Sequence, residues 1–288
     1  MDHVIARLLA VVLGGIAASF SIAEEDSGSR ILLSTGVEGG GYWNAGSRLQ
    51  RVAEDMNLEV ENLPSSGSLE NLDKLFDDAS PVNLAFAQAD ALQHYLNTHE
   101  EAAIKLEMLE NIGQECVFIV TDIDSDLRTN EDMEDAQDLR LGIPSATSGV
   151  AVTLNYMVSQ IPEMADIDIS YGQTAADMEE MGTSEAAVDA VMMVHRPKER
   201  SPEVNEALEH PDRYRFVEVS DDRLTEKLWS GHNIYRTIKL VLPGISQPLE
   251  TICVNGLLLA NRQKLTPGQR NDLNDLVSYN WIKVYATQ

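Results

Sequence analysis

Basic residues are scarce in this chain: 21 Lys and Arg stand against 47 Asp and Glu, for a formal net charge of −26 in 288 residues. A field of that sign repels nucleic acid and anionic membranes, so no nucleic-acid partner is expected. It does not make the ligand of a pocket cationic, because salt screens distant surface charge. Cysteine is rarer still. With only Cys116 and Cys253, no cysteine-based zinc site can be built, and the six histidines show no HExxH or clustered spacing. No metal and no cofactor are therefore expected. A GxSxG nucleophile elbow is also missing, and no nucleophile is paired with a base at a recognisable spacing, which argues against a serine hydrolase despite several Ser-rich turns and His195.

What is present is enough apolar residue, 43% of the chain, to bury cores, in a length that suits roughly two domains. Residues 1–23 carry a single basic residue, Arg7, then an apolar run from Leu8 to Ile22. They end in the small-x-small triplet Ser21-Ile22-Ala23 before Glu24-Glu25-Asp26. That order predicts a secretory signal peptide and a mature protein outside the cytoplasm. Cleavage removes Asp2 and Arg7 together and leaves the net charge unchanged. No later stretch is long and apolar enough to span a bilayer, so no membrane insertion is expected after cleavage. Both cysteines sit in apolar, strand-like runs of the exported part. An oxidising compartment permits a disulfide between them, and a pair of buried free thiols is the alternative.

The stretch Ile31 to Asn44, ILLSTGVEGGGYWN, opens a strand, glycine turn, helix order, with the amphipathic helix expected over Ala45–Met56. Glycines there let backbone N–H groups approach a ligand, and the N-terminus of the following helix favours a carboxylate or phosphate; a tight turn without ligand is the plainer reading. The pattern recurs. Leu58–Leu63 alternates like a strand and runs into Pro64-Ser65-Ser66-Gly67-Ser68, where Ser66 or Ser68 is a candidate cap. Val82–Ala87 leads into Gln88-Ala89-Asp90, and Leu139–Ile143 leads into Pro144-Ser145-Ala146-Thr147-Ser148-Gly149, each followed by a helix. Ala187–Val194 reads as a buried strand closed by His195-Arg196-Pro197. Asp221–Leu228 reads as a peripheral helix, and Thr266 and Pro267 as the cap and first residue of a terminal one. Alternating strands and helices of this kind predict doubly wound α/β lobes with ligand at the carboxyl ends of the strands.

In that order the pieces resemble the TAXI class of periplasmic solute-binding proteins, the receptors of TRAP-type secondary transporters. The resemblance rests on Thr35-Gly36-x-x-Gly39-Gly40-x-Tyr42, Ser66–Leu72, Phe86–Asp90 and Gly142–Gly149, with further support from Val188–Val191 and from Ile234-Tyr235 and Leu242–Ile245. It implies two α/β lobes joined by crossing hinge strands, here residues 24–120 with 250–288 and residues 121–249. It also implies a closing cleft for a small carboxylate-bearing solute such as glutamate, and TRAP-type membrane subunits as partners. It makes the strands holding Cys116 and Cys253 neighbours, and so predicts a Cys116–Cys253 disulfide at the hinge. The chain departs from the family at Glu38 and Gly41 and in its longer Pro144–Gly149 loop, which leaves the ligand open.

The expected ligand set combines backbone amides of Gly40, Gly41 and Tyr42, hydroxyls of Ser68, Ser145, Thr147 and Ser148, the amide of Gly149, and Gln88, Asp90 and His195. Glu38 either pairs with an amino group of the ligand or is an exposed loop carboxylate, and Gln88 and Asp90 either touch ligand or brace their loop. No enzymatic activity is expected. The rival readings are a cleft that serves a sensor rather than a transporter and, less favoured, a secreted serine-type hydrolase.

Overall fold

The structure, a computed structural model, describes residues 30–172, 174–197, 201–225 and 233–285. The expected signal peptide lies outside the described residues, as does part of the helix expected at 221–228. The first group of elements is β1 (Ile31–Ser34), α1 (Gly41–Glu54), β2 (Val60–Leu63), α2 (Ser68–Phe76), β3 (Leu84–Gln88), α3 (Ala89–Thr98) and α4 (Ala102–Lys105). A long strand, β4 (Leu106–Asp122), leads to α5 (Asn130–Asp135), β5 (Arg140–Ile143), α6 (Gly149–Gln160), β6 (Asp168–Tyr171), α7 (Thr174–Glu180) and β7 (Ala190–His195). Then follow α8 (Pro202–Glu209), β8 (Tyr214–Val217), β9 (Tyr235–Leu240), β10 (Leu249–Asn261) and α9 (Pro267–Tyr285).

Among the described residues the strands form one curled sheet in the order β2-β1-β3-β10-β4-β7-β5-β6, with β8 on β4 and β9 on β10. Its two halves repeat one plan. In the first, β2, β1 and β3 run parallel and β10 lies antiparallel to β3. In the second, β6, β5 and β7 run parallel and β4 lies antiparallel to β7. The chain is therefore α/β with the two-lobed architecture expected of it. The helices cover both faces of each half. Leu33, Leu49 and Leu276 belong to one apolar cluster of the first half, and Leu72, Ala91 and Leu259 to the cluster on its other face. The second half has a cluster around Ile119, Leu154 and Met192 and another around Phe118, Met193 and Val204. Burial on both faces is why the parallel strands read as apolar runs.

β4 and β10 pass between the halves. β10 pairs with β9 along Leu249–Val254 and with β3 along Gly256–Ala260, while β4 leaves β10 at Cys116 and takes β7 and β8. At that change of partners Cys116 faces Cys253 in register, and the two are joined by a disulfide.

Several local expectations need correction. The first helix begins at Gly41, so Tyr42 and Trp43 fall in its first turn. The reason is Gly39, whose φ of +80° completes the turn before the helix. Neither Ser66 nor Ser68 caps α2: its cap is Gly67, without a side-chain hydrogen bond. The described part of the expected helix at 221–228 is a short 3-10 turn, Asp222–Thr225. β4 begins well before the apolar Cys116–Val120 run, because its first part, partly exposed and irregular at Gly113, lacks an apolar signature.

Candidate functional site

The cleft is built where helices begin. β1 ends at Ser34, and residues 37–40 turn back so that the Gly40 N–H donates to the Val37 carbonyl at 2.9 Å. α1 then starts at Gly41 with Gly40 as a cap that has no side chain to occupy the first-turn amides. Tyr42 packs its ring 5.4 Å from that of Phe86 and donates its hydroxyl to Glu115 Oε2 at 2.7 Å. α2 likewise starts behind an uncapped glycine, Gly67, whose φ of +135° is open to glycine alone. Ser66 donates its N–H and its hydroxyl to Glu70 at 2.7 and 2.6 Å. Burial pushes the Glu70 carboxyl up, but the bonds from Lys74 and Ser66 outweigh it and hold the group down at about 2. α6 belongs to the other half. Its cap, Ser148, accepts from the Ala151 N–H at 3.3 Å and donates to the Ser145 carbonyl at 2.6 Å.

These helix ends come from the carboxyl ends of β1, β2 and β5, and they converge on one cavity of about 140 Å³. Gly40, Gly41 and Tyr42 line one side, Gly67 and Ser68 another, and Pro144, Gly149 and Val150 the wall from the second half. The floor is Glu115 on β4 with Val194 and His195 at the end of β7. Glu115 is buried and lies 3.9 Å from Arg196 Nε, and each of these two side chains is 8% exposed. A Cβ placed on Gly41 would point across the cavity to His195 Nδ1 at 4.0 Å. Burial holds His195 below the ordinary imidazole range, Arg196 adds to that, and Glu203 opposes it, so the ring is neutral at neutral pH.

Arg196, outside the lining, lies beside the Glu115 carboxylate of the floor. The cavity also meets the partial positive charge and the N–H groups of helix N-termini from both halves, a setting for an anionic group. The volume holds roughly ten water-sized positions, or one solute of about that many heavy atoms. Among the described residues no cluster of His, Cys, Asp or Glu could hold a metal ion.

The chain has the two-lobed periplasmic-binding-protein fold. It is similar to XAC2383 from Xanthomonas citri bound to ATP, with a TM-score of 0.50 at 9% identity over 86% of this chain and 82% of that one. It is also similar to a P235GK mutant of ArgBP from T. maritima, TM-score 0.49 at 10% identity over 87% and 88% of the two chains. A further likeness is to the substrate binding protein of an amino acid ABC transporter, TM-score 0.48 at 10% identity over 90% and 100%. At such identities the likeness is one of fold. No family model and no curated sequence matches the chain.

Of the residues singled out in the sequence, Gly40, Gly41, Tyr42, Ser68, Gln88, Gly149 and His195 line this one cavity. The Ser68 hydroxyl accepts from the Gln88 N–H at 3.2 Å. Ser145, Thr147 and Ser148 stand beside the cavity, and their hydroxyls are engaged locally: Thr147 Oγ1 lies 3.1 Å from Ser145 Oγ and 2.9 Å from Ser66 Oγ. Glu38 is exposed and outside the lining, next to Val37, which does line it. Asp90 is also outside it, 3% exposed, and accepts hydroxyls from Thr153 and Tyr235. Glu115 was not recognisable as a site residue, although a lone carboxylate at the start of an apolar strand is a signal, since buried charge needs a partner. Gly36 was legible only as part of the Thr35–Tyr42 motif, and Val150, an ordinary apolar residue, carried no signal.

Among the described residues, no helix is long and apolar enough to cross a membrane.

Proposed function

We propose that the chain is an extracytoplasmic solute-binding receptor of the TAXI type, exported by residues 1–23, that takes up a small organic acid or glutamate-like amino acid for TRAP-type membrane subunits. The halves, residues 24–120 with 250–288 and residues 121–249, hold the solute between them. The observation that carries this reading is the convergence of helix N-termini from both halves on one cavity. The motifs that resemble the TAXI class support it, because Thr35–Tyr42, Ser66–Ser68, Gln88 and Gly149 all lie on or beside that cavity. The acid group meets the amides at Gly41 and Ser68 and at Gly149, and Tyr42 covers the apolar part of the solute.

The test is a thermal-shift screen of the purified chain against L-glutamate, 2-oxoglutarate, other amino acids and short carboxylic acids. A solute at a hundred times its Kd adds about 2.7 kcal/mol, or roughly 5 °C in Tm for a chain of this size. Gly41→Leu fills the cavity from a helix position with room for a Cβ, and is expected to abolish the shift while leaving the unliganded Tm within about 2 °C. A panel without any shift, or equal binding by Gly41→Leu, overturns the reading.

A further inference from the structure

Away from the cleft, the second half holds a larger cavity, of about 290 Å³. It lies along β8, a strand that among the described residues pairs with β4 alone. Neighbouring residues from both faces of β8, Tyr214, Arg215 and Phe216, line the cavity, so it follows the free edge of the strand. Ala207 of α8 and Ile245 and Leu249 from the segment before β10 add apolar wall, continuous with the cluster around Phe118 and Met193. Gly244, Ser246 and Gln247 are exposed, and the mouth lies there. Arg215 stands in this wall. Its Nη2 donates to the Ile123 carbonyl, whereas Nε and Nη1 are shielded from water and have no partner. Glu218, which also lines the cavity, does not supply one, because three positions along an extended chain put the two side chains on opposite faces. A guanidinium cannot shed its proton, so the fold has desolvated this charge without compensating all of it. The strand edge adds a donor. The Ile123 N–H donates to the Arg213 carbonyl at 2.8 Å, and the register sets Val120 opposite Phe216, so the ladder turns the Phe216 N–H away from β4 and toward the cavity side.

We propose that this cavity is a second binding site, independent of the cleft, and that it takes a monocarboxylate with an apolar body. The carboxylate meets the Arg215 guanidinium, whose planar fork suits two oxygens, and the Phe216 N–H; its single negative charge supplies the partner that the fold leaves out. The body lies against Ala207, Ile245 and Leu249, where its burial adds affinity that an acid as short as acetate lacks. Glu218 repels a second carboxylate, and the apolar wall offers an ammonium group no acceptor, so the amino acids screened against the cleft are poor ligands here. The space holds roughly twenty water-sized positions, ample for the ten heavy atoms, or about that many, of octanoate.

Calorimetric titration of the unmodified chain with octanoate, octanamide and acetate tests the site. Octanoate is expected to bind with a Kd below about 1 mM, and the neutral amide and the short acid at least about tenfold more weakly. Bound octanoate should slow hydrogen exchange in residues 214–218 and 244–249 and leave residues 41–44 as they were. Arg215→Met keeps an apolar stem and removes the charge; it is expected to weaken octanoate at least about tenfold while leaving the thermal shifts of cleft solutes unchanged. Gly41→Leu is expected to do the reverse. Failure of octanoate to bind, equal binding of octanamide, or slowed exchange in residues 41–44 in place of 214–218 overturns the proposal, as does undiminished octanoate binding by Arg215→Met. If that variant does not fold, the octanoate–octanamide comparison and the exchange of the unmodified chain decide alone. A chain that binds octanoate at β8 but none of the solutes screened against the cleft leaves this site standing while the receptor reading falls. A chain that takes cleft solutes but no octanoate does the opposite.

Discussion

Cys116 and Cys253 are 137 residues apart in sequence, and their link closes a loop that takes in the whole second half. Constraining a loop of that length in the unfolded chain stabilises the fold by up to about 5 kcal/mol on chain-entropy grounds, and native disulfides commonly contribute about 2–5 kcal/mol. At roughly 2 °C per kcal/mol for a chain of this size, removing the link lowers Tm by about 4–10 °C. The sulfurs are buried, Cys116 0% and Cys253 2% exposed, in the apolar cluster around Phe118 and Met193. A reductant therefore works only through opening, and the cleaner perturbation is the double variant Cys116→Ala with Cys253→Ala. It adds a packing loss of about 1 kcal/mol for the missing sulfurs. The assay is calorimetry of the oxidised chain and the double variant in parallel, with alkylation under denaturing, non-reducing conditions to count free thiols. A fall in Tm below about 2 °C, or alkylation of both cysteines in the unmodified chain, refutes the reasoning.

Gly149→Ala forces the Gln88 side chain out of its place, because the new Cβ would lie 1.3 Å from Gln88 Oε1. Overpacking of this kind costs about 1–3 kcal/mol, read as a lower urea midpoint, and solute-induced thermal shifts should shrink with it. Glu115→Gln removes the buried carboxylate beside Arg196 that also accepts the Tyr42 hydroxyl; a loss of about 1–3 kcal/mol in urea unfolding is expected, and an unchanged midpoint refutes the pairing. Glu70 has its carboxyl held at about 2 against an ordinary 4.5, so its contribution is full above pH 4.5 and lost as pH falls through about 2. Its side chain is 34% exposed, which trims that contribution to roughly 1 kcal/mol. Glu70→Gln should lose this amount at neutral pH, and the gap between the two proteins should narrow between pH 5 and pH 2; a gap independent of pH contradicts the assignment.

Much of the fold is written locally. The strand runs at 31–34, 84–88 and 190–195 are apolar because both faces of the sheet are covered, and glycine and serine mark the helix starts that follow the first and the last, while α3 starts behind Gln88. Ser148 caps α6 as its position suggests, and Thr266 accepts from the Gln269 N–H at 3.2 Å while Gln269 returns a bond to the Thr266 N–H at 2.9 Å. Capping is legible because it involves residues three apart. α1 was harder. Helix propensity discounts glycine and aromatic residues, so nothing in the local pattern puts Gly41-Tyr42-Trp43 in a first helical turn. The site is legible as loops rather than as contacts. Gly41 and Ser68 fall on the cavity because loops at strand ends must, whereas Glu38, in the same loop as Val37, is exposed and outside the lining. Which side chain of a turn faces inward depends on the partner half.

The amino-acid sequence by itself determined the alternation of strands and helices, the glycine and serine starts of the helices, and the class of fold, because each rests on periodicity and backbone preference within a few residues. Only the tertiary structure decided that Glu115 forms the floor of the cavity, bonded to Tyr42 and beside Arg196, and that Asp90 bonds across the halves instead of lining the cleft. The side chains bonded to Glu115 and Asp90, those of Tyr42, Thr153 and Tyr235, lie between 63 and 145 residues away in sequence. A buried carboxylate is settled by whichever donors the packed halves bring to it, and that choice is made by the packing of the whole chain.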